Sequence, residues 1–436
     1  MTVLLDQVVR FLTDLSPLRR SPAFRRLWAG STLSSIGSAF TTFAVPLQIY
    51  DTTHSSLAVG GLGVAQVVPL LAVGLYGGHM ADSFDRRRVL LATTVASTAV
   101  SAGLAFQALA GLRLVWLLYL LVACKSASGA IGGPARRALV PSLLAGDQLT
   151  AGLALNRVTF QVTLVAGPAL GGLVASLPSL GLSGCYLVDT ASFLASFWGV
   201  AGLPAGSPRY ARPDAGGVAE GLRLLQGNQP LIGALLTDVT ATAFALPVVL
   251  FPAINAARFG GNPQTLGMFT AAIGIGGLLT AAVSGPFTRA ERQGQCMLAA
   301  VAVWGAAFAG FALVNSLWAT LCLLGLAGAA DTVTVVLRGS IVQANAANHA
   351  RGRISAAEYV VSGSGNYLGD LGSGALASVT TAATSALVGA VATIAVTLVI
   401  AVAMPGFTRY RATSSPPAAE TPETLMTGTP PIQASP

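Results

Sequence analysis

Apolar side chains fall in runs of about 20 residues, the length a helix needs to cross a hydrocarbon layer of ~30 Å, and such runs recur along almost the whole chain. They predict about twelve membrane-spanning helices, near 27–50, 56–79, 89–111, 114–134, 158–177, 185–203, 231–254, 265–288, 296–314, 317–339, 354–377 and 384–404. Most of the intervening turns are short. The longest polar stretch, 204–230, carries Pro204, Pro208 and Pro213 and a short amphipathic segment around Val218–Leu225. It divides the chain into six helices over 27–203 and six over 231–404. Residues 1–26 form an N-terminal segment in which Leu4, Val8, Phe11, Leu12 and Leu15 recur at helical spacing, suited to lying on a membrane surface. Residues 405–436 end in a Pro/Thr/Ser-rich tail with no apolar period, expected to be disordered. The expected fold class is an all-α polytopic membrane protein built from two pseudo-symmetric six-helix bundles.

Composition sharpens this. Only 9% of residues are charged against 53% hydrophobic, and mean hydropathy is +0.70; soluble domains carry about 25% charged residues. A soluble enzyme, a disordered chain and a coiled coil are excluded together. The net charge of +8 is no nucleic-acid signature, because the arginines sit in short clusters between apolar runs. With the N-terminus inside, 21 arginines fall in cytoplasmic segments and only Arg113 and Arg258 fall outside. That asymmetry predicts cytoplasmic N- and C-termini for a multi-pass protein of a bacterial plasma membrane. No cleavable signal is visible, so the first apolar run is expected to remain as an anchor. Cys124, Cys185, Cys296 and Cys322 lie within or at the ends of apolar runs without a CxxC pair and read as packing residues.

The halves repeat. Gly60 and Gly78 bracket the second span as Gly267 and Gly285 bracket the eighth, and an offset of 202 carries Arg136 onto Arg338 and Gly172 onto Gly374. Six plus six helices with internal symmetry is the pattern of transporters that bind substrate between two bundles. Between spans 2 and 3 the chain reads Gly78-His-Met-Ala-Asp82-Ser-Phe-Asp85-Arg86-Arg87-Arg88. The glycine allows close helix approach, Asp82 can cap a helix or pair with arginine, and the basic run holds the loop inside. This resembles the signature loop of the major facilitator superfamily, and the resemblance implies that Gly78, Asp82, Asp85, Arg86 and Arg87 form a cytoplasmic latch between the bundles; the alternative is a set of topology determinants. The counterpart at Gly285–Arg292 is degenerate.

In span 5, Gly167-Pro168-Ala-Leu-Gly171-Gly172 resembles the core of the motif associated with proton-driven exporters in that superfamily. Thr163 and Ala154 stand where the longer motif has glycines. Pro22–Arg25, Ala44–Ile49, Thr53–Ser55 with Val59-Gly60, Gly352-Arg353-Ile354 and Gly369-Asp370 are similar to the siderophore- and drug-efflux members. The resemblance covers about residues 20–405 and implies the major facilitator fold.

An ionisable group at bilayer depth costs roughly 2.5–3.5 kcal/mol on insertion scales, so each is a functional candidate. The candidates for proton coupling are Asp370, Asp238, Asp331, Lys125 and Glu358. In the fold that the resemblance implies, spans 1, 4, 7 and 10 line a central cavity, which would let Lys125, Asp238 and Asp331 share charge there; the other reading is a static ion pair. Asp370 shares a helix face with Asn366, an i,i+4 pair. Glu358 lies four residues into span 11, within reach of the interface. Asp189, near the outer end of span 6, reads as a capping or interfacial residue. Phe40, Phe43, Gln48 and Asn366 are candidates for a substrate pocket.

No Walker sequence, HExxH or Cys/His cluster occurs, so no cofactor, metal or enzyme chemistry is expected. The leading expectation is a secondary active transporter, functional as a monomer, exporting a small amphipathic molecule, siderophore or drug-like, against protons by alternating access. The expected partners are that substrate, protons and the lipid bilayer, and not nucleic acid. An importer or lipid carrier of the same fold and a membrane ligand sensor without net transport are the alternatives.

Overall fold

The computed structural model describes residues 14–83, 85–204, 227–244, 247–345 and 351–411. The expected surface helix over residues 1–13, most of the 204–230 linker and the tail from 412 lie outside the described residues.

Those residues form long helices and no strand. The first half holds α1 (Pro22–Thr53), α2 (Ser56–Ser83), α3 (Arg86–Leu109), α4 (Val115–Leu143), α5 (Gly146–Ala175) and α6 (Gly181–Ala201). The second holds α7 (Gln229–Phe244), α8 (Phe251–Phe259), α9 (Pro263–Ala282), α10 (Gln293–Leu313), α11 (Leu317–Asn345), α12 (Arg351–Val379) and α13 (Ala382–Ala403). Starts follow local chemistry. Ser21 caps α1 by accepting from the Phe24 N–H at 3.2 Å, with Pro22 at the first helical position, and Asn262 caps α9 before Pro263 in the same way.

Among the described residues nine spans are both long and apolar enough to cross a membrane. Helices α1, α6 and α12 are long enough, yet their serines, threonines, Asp189, Asn366 and Asp370 lower their hydropathy. The expected continuous span over 231–254 is broken. A 3-10 turn at Pro247–Leu250 separates α7 from α8, where Pro247 and Pro252 remove amide donors. Behind the break, Phe251 meets Phe269 and Phe311 edge-on with ring centroids 5.7 and 5.4 Å apart. Arg258 donates to the carbonyls of Phe311 (3.1 Å), Val314 (2.9 Å) and Ala312 at the end of α10, so this arginine caps a helix.

The two halves meet mainly along two seams, α5 on α9 and α2 on α12. A Cβ added at Gly172 would stand 2.7 Å from the Pro263 carbonyl oxygen and 3.1 Å from Gly267 Cα. One added at Gly374 would stand 2.6 Å from the Ser56 carbonyl oxygen and 3.2 Å from Gly60 Cα. Four of the glycines that mark the internal repeat, Gly60, Gly172, Gly267 and Gly374, are thus residues at which the halves touch, one pair on each side. Both contacts lie near the arginine-poor ends of their helices.

Overpacking a tight contact costs about 1–3 kcal/mol. Gly172→Val or Gly374→Val should therefore lower the Tm of the purified protein by several degrees. Gly129→Ala, where an added Cβ meets nothing within 4 Å, should leave it unchanged. Equal Tm values for all three would show that the seams tolerate side chains.

Candidate functional site

Asp189 corrects the expectation from sequence. It is 0% exposed and pairs with Lys125 of α4. Its carboxylate accepts from the Thr41 hydroxyl of α1 at 2.5 Å, the Ser101 hydroxyl of α3 at 2.8 Å and Ser38 at 3.4 Å. Three other helices of the first bundle converge on the α6 carboxylate, and the Phe193 ring lies 5.3 Å from the Lys125 nitrogen. Capping and interfacial exposure are both overturned. Close approach permits the arrangement: a Cβ on Gly37 would stand 3.0 Å from Asp189 Cα. The sequence signal was the pairing of small hydroxyl residues, Ser38 with Thr41 and Ser97 with Ser101, on single faces of spans 1 and 3.

Lys125 therefore does not share charge with Asp238 and Asp331. Those two stand in the second bundle, where buried Asp238 of α7 pairs with Arg338 of α11. Asp331, two turns before Arg338 on α11, interacts electrostatically with both. The expected single cluster is two clusters, one per bundle.

Helix α12 is wedged between the bundles. The Tyr367 and Asp370 carbonyls face Gly63 and Gly60 of α2, while Gly369 faces the Thr242 and Ala243 carbonyls of α7. The Asp370 carboxylate is half-buried and has no hydrogen bond among the described residues. One turn earlier, the buried Asn366 Oδ1 has no partner either. The Glu358 side chain lies outside the described residues.

In the loop before α3, Asp85 accepts from the Arg87 N–H at 2.9 Å and caps that helix, with Arg88 at 3.9 Å. The Arg86 guanidinium donates to the Ala138 carbonyl at 3.4 Å, and that of Arg87 to the Ala201 carbonyl at 2.5 Å. These contacts all stay within the first bundle. The side chains of Gly78 and Asp82 lie outside the described residues. The span-5 motif faces two ways: Gly167 and Gly171 seat Ala39 and Phe43 of α1, and the Pro168 carbonyl and Gly172 seat Gly267 of α9.

A cavity of about 190 Å³ lies between α1, α5, the 3-10 turn, α8 and α9, lined by apolar side chains and threonines from both bundles. Of the expected pocket residues only Phe43 lines it. Phe40 is buried in the core, Gln48 accepts from the Tyr186 hydroxyl at 2.6 Å, and Asn366 belongs to the other seam. A more polar cavity of about 520 Å³ lies at the arginine-poor end, bounded by Tyr50, His54, Arg258 and Thr381.

The sequence model of the family described as transmembrane secretion effector matches residues 12–428. The chain is 27% identical over 412 residues to the enterobactin exporter EntS of Salmonella paratyphi A, covering 93% of this chain and 97% of the relative. It is 29% identical over 350 residues to the EntS protein of Shigella boydii, covering 79% and 83%. Among solved structures, a POT family transporter in complex with 5-aminolevulinic acid superposes with a TM-score of 0.72 at 10% identity, covering 89% and 97%. An inward-facing bacterial homologue of ferroportin gives 0.65 at 17%, covering 89% and 98%. The fold is that of the major facilitator transporters.

Removing one partner of a buried ion pair costs about 3–5 kcal/mol, because the other charge stays buried. Lys125→Met should thus depress the Tm sharply, and Lys125→Met/Asp189→Leu should regain most of the loss. Thermal melts of the purified variants check this. A single variant as stable as the parent would mean the pair carries no structural role.

Proposed function

Because the chain belongs to the transmembrane secretion effector family, we propose that it exports a small amphipathic molecule, of siderophore or drug-like type, in exchange for protons by alternating access. The coarser statement needs no proposal: the chain is a multi-pass major facilitator transporter of the bacterial inner membrane, and its family and relatives are transporters, not enzymes.

The observation that carries the proton-coupled reading is Asp370. It is a half-buried carboxylate at membrane depth, with no hydrogen-bond partner among the described residues. It sits on the helix that touches α2 of one bundle and α7 of the other. A carboxylate left without a partner in such a place is available to a proton, and its charge changes the cost of keeping that seam closed. With the arginine clusters inside, the glycine seams hold the bundles together toward the outer end. The relatives named enterobactin exporters support export and a siderophore as cargo.

Asp370→Asn mimics the permanently protonated state. Gradient-driven efflux from proteoliposomes should drop at least tenfold, while substrate-for-substrate exchange, which moves no net proton, should survive. Asp370→Glu should keep partial activity with a shifted pH optimum. Full gradient-driven efflux by the Asp370→Asn variant at every pH would sink Asp370 as the proton site, and efflux that persists after the gradient is collapsed would sink antiport itself.

A further inference from the structure

The polar cavity of about 520 Å³ at the arginine-poor end lies between α1 and α2 of the first half and α8, α12 and α13 of the second. It adjoins the α2–α12 seam, because Ser56, whose carbonyl meets Gly374, is part of its wall. Among the described residues its fixed charge is cationic. Arg258 lines the space and no acidic side chain does. Asp51, three residues before His54 on α1, is exposed and stays out of the wall. A guanidinium has five N–H donors. Three contacts to the carbonyls of Phe311, Ala312 and Val314 at the end of α10 leave two of them without a partner among the described residues.

The other walls add donors of the same sign. Helix α2 starts at Ser56 and α13 at Ala382, and the first four amides of a helix have no partner inside it. Ser55 Oγ accepts from the Ala58 N–H at 3.3 Å, and Thr381 Oγ1 from the Thr384 N–H at 3.1 Å. That leaves the amides of the lining residues Ser56, Ala382 and Ala383. Each helix start carries roughly half a positive charge. Tyr50 and His54, edge-on with ring centroids 6.1 Å apart, bring a hydroxyl and an imidazole to the same wall. Water alone can satisfy an isolated helix start. Here two of them meet a guanidinium around one cavity, with no acid to offset the charge.

We infer that this cavity is a binding site for an oxyanion, the carboxylate or phosphate group of a small organic acid, held by Arg258 on one side and by the starts of α2 and α13 on the other. A water molecule's share of the liquid is about 30 Å³, so the space takes the anionic group together with an organic body. A cation is disfavoured, since it would face Arg258 with no carboxylate to hold it. The inference goes beyond the export reading and does not depend on it. The donors come from both halves of the chain. A bound anion therefore favours the arrangement in which these helix ends are together, and parting them releases it. A soluble acid and a phospholipid headgroup share this chemistry, and the test separates them.

The test uses the full-length protein in dodecyl maltoside, which brings no anion, with benzoate as probe and benzamide as its neutral match. Calorimetry should give benzoate a Kd on the order of 1 mM and show no binding of benzamide. Ala383→Asp places a carboxylate at the start of α13, where it suits the helix and takes up the donors from within. That variant should keep the parent Tm or exceed it, yet weaken benzoate about tenfold or more. Ala383→Asn, with the same shape and no charge, should bind benzoate as the parent does. Ser378→Asp, at an exposed position of α12 on another wall, should repeat the loss.

The same titration in phosphatidylcholine nanodiscs identifies the occupant. Benzoate binding that is lost there upholds the site with a lipid headgroup in it, and binding equal to that in detergent upholds it for a soluble acid. Equal affinity for benzoate and benzamide, or unchanged benzoate binding in both acid variants, would overturn the site.

Discussion

At bilayer depth water offers no hydrogen bonds, so a polar side chain is satisfied by the protein, by a ligand, or not at all. This constraint sorts the intramembrane polar groups of the chain into two sets. Asp189 is the extreme of the first, holding Lys125, Thr41 and Ser101 around a carboxylate with no exposure. The Asp238–Arg338 pair does the same between α7 and α11. Both pairs tie together helices that the chain visits far apart in sequence, and each bundle has one. The second set bonds to nothing among the described residues: the Asp370 carboxylate and Asn366 Oδ1 on α12 and Thr163 Oγ1 on α5, the seam helices, but also Gln107 Oε1, Asn255 Oδ1 and Thr320 Oγ1 elsewhere in the two bundles.

A two-bundle transporter makes opposite demands on its bundles and on its seams. A bundle that rocks as a rigid body needs its internal polar groups closed off, because a dangling charge would bind water or lipid and soften it. The seams between the bundles have the opposite requirement: they must open. Their contacts are accordingly made of glycine against glycine, through dispersion forces of backbone on backbone, with no ion pair between the halves among the described residues. Such a contact is weak per atom and depends on fit, so a small change beside it shifts the balance. The Asp370 carboxylate on α12 is placed beside one of these contacts.

Most of the architecture was legible in the sequence because it follows from hydropathy and small residues. The spans, the division into halves and the offset that pairs Gly172 with Gly374 are periodic or repeated, and the structure puts those glycines at the seams. Three things were not legible. Asp189 and Lys125 are 64 residues apart, and hydropathy does not tell which way a helix turns its acid; depth along span 6 suggested an interface where rotation about its axis gives a core. Lys125 was grouped with Asp238 and Asp331 because all three fall on spans expected to line one cavity, a placement that says nothing about which partner inside its own bundle a side chain turns to. The break at Pro247–Leu250 was hidden because the apolar run continues through it, although Pro247 and Pro252 were its visible cause.

The two clusters also differ in a way that bears on proton traffic. A proton carrier has to meet water in at least one state. Asp189 is fully enclosed and bonded by three hydroxyls and an ammonium group, which keeps it out of reach of water. Asp331 and Asp370 are only half-buried, on helices of the second bundle. On the proposed reading the bundles therefore divide the work: the first is a closed frame locked by its ion pair, and the second carries the acids that respond to the gradient. The seam helix α12 joins the two roles, since the segment that bears Asp370 packs its own backbone against Gly60 of the frame. Protonation there need not be transmitted over any distance. It acts at the surface that moves.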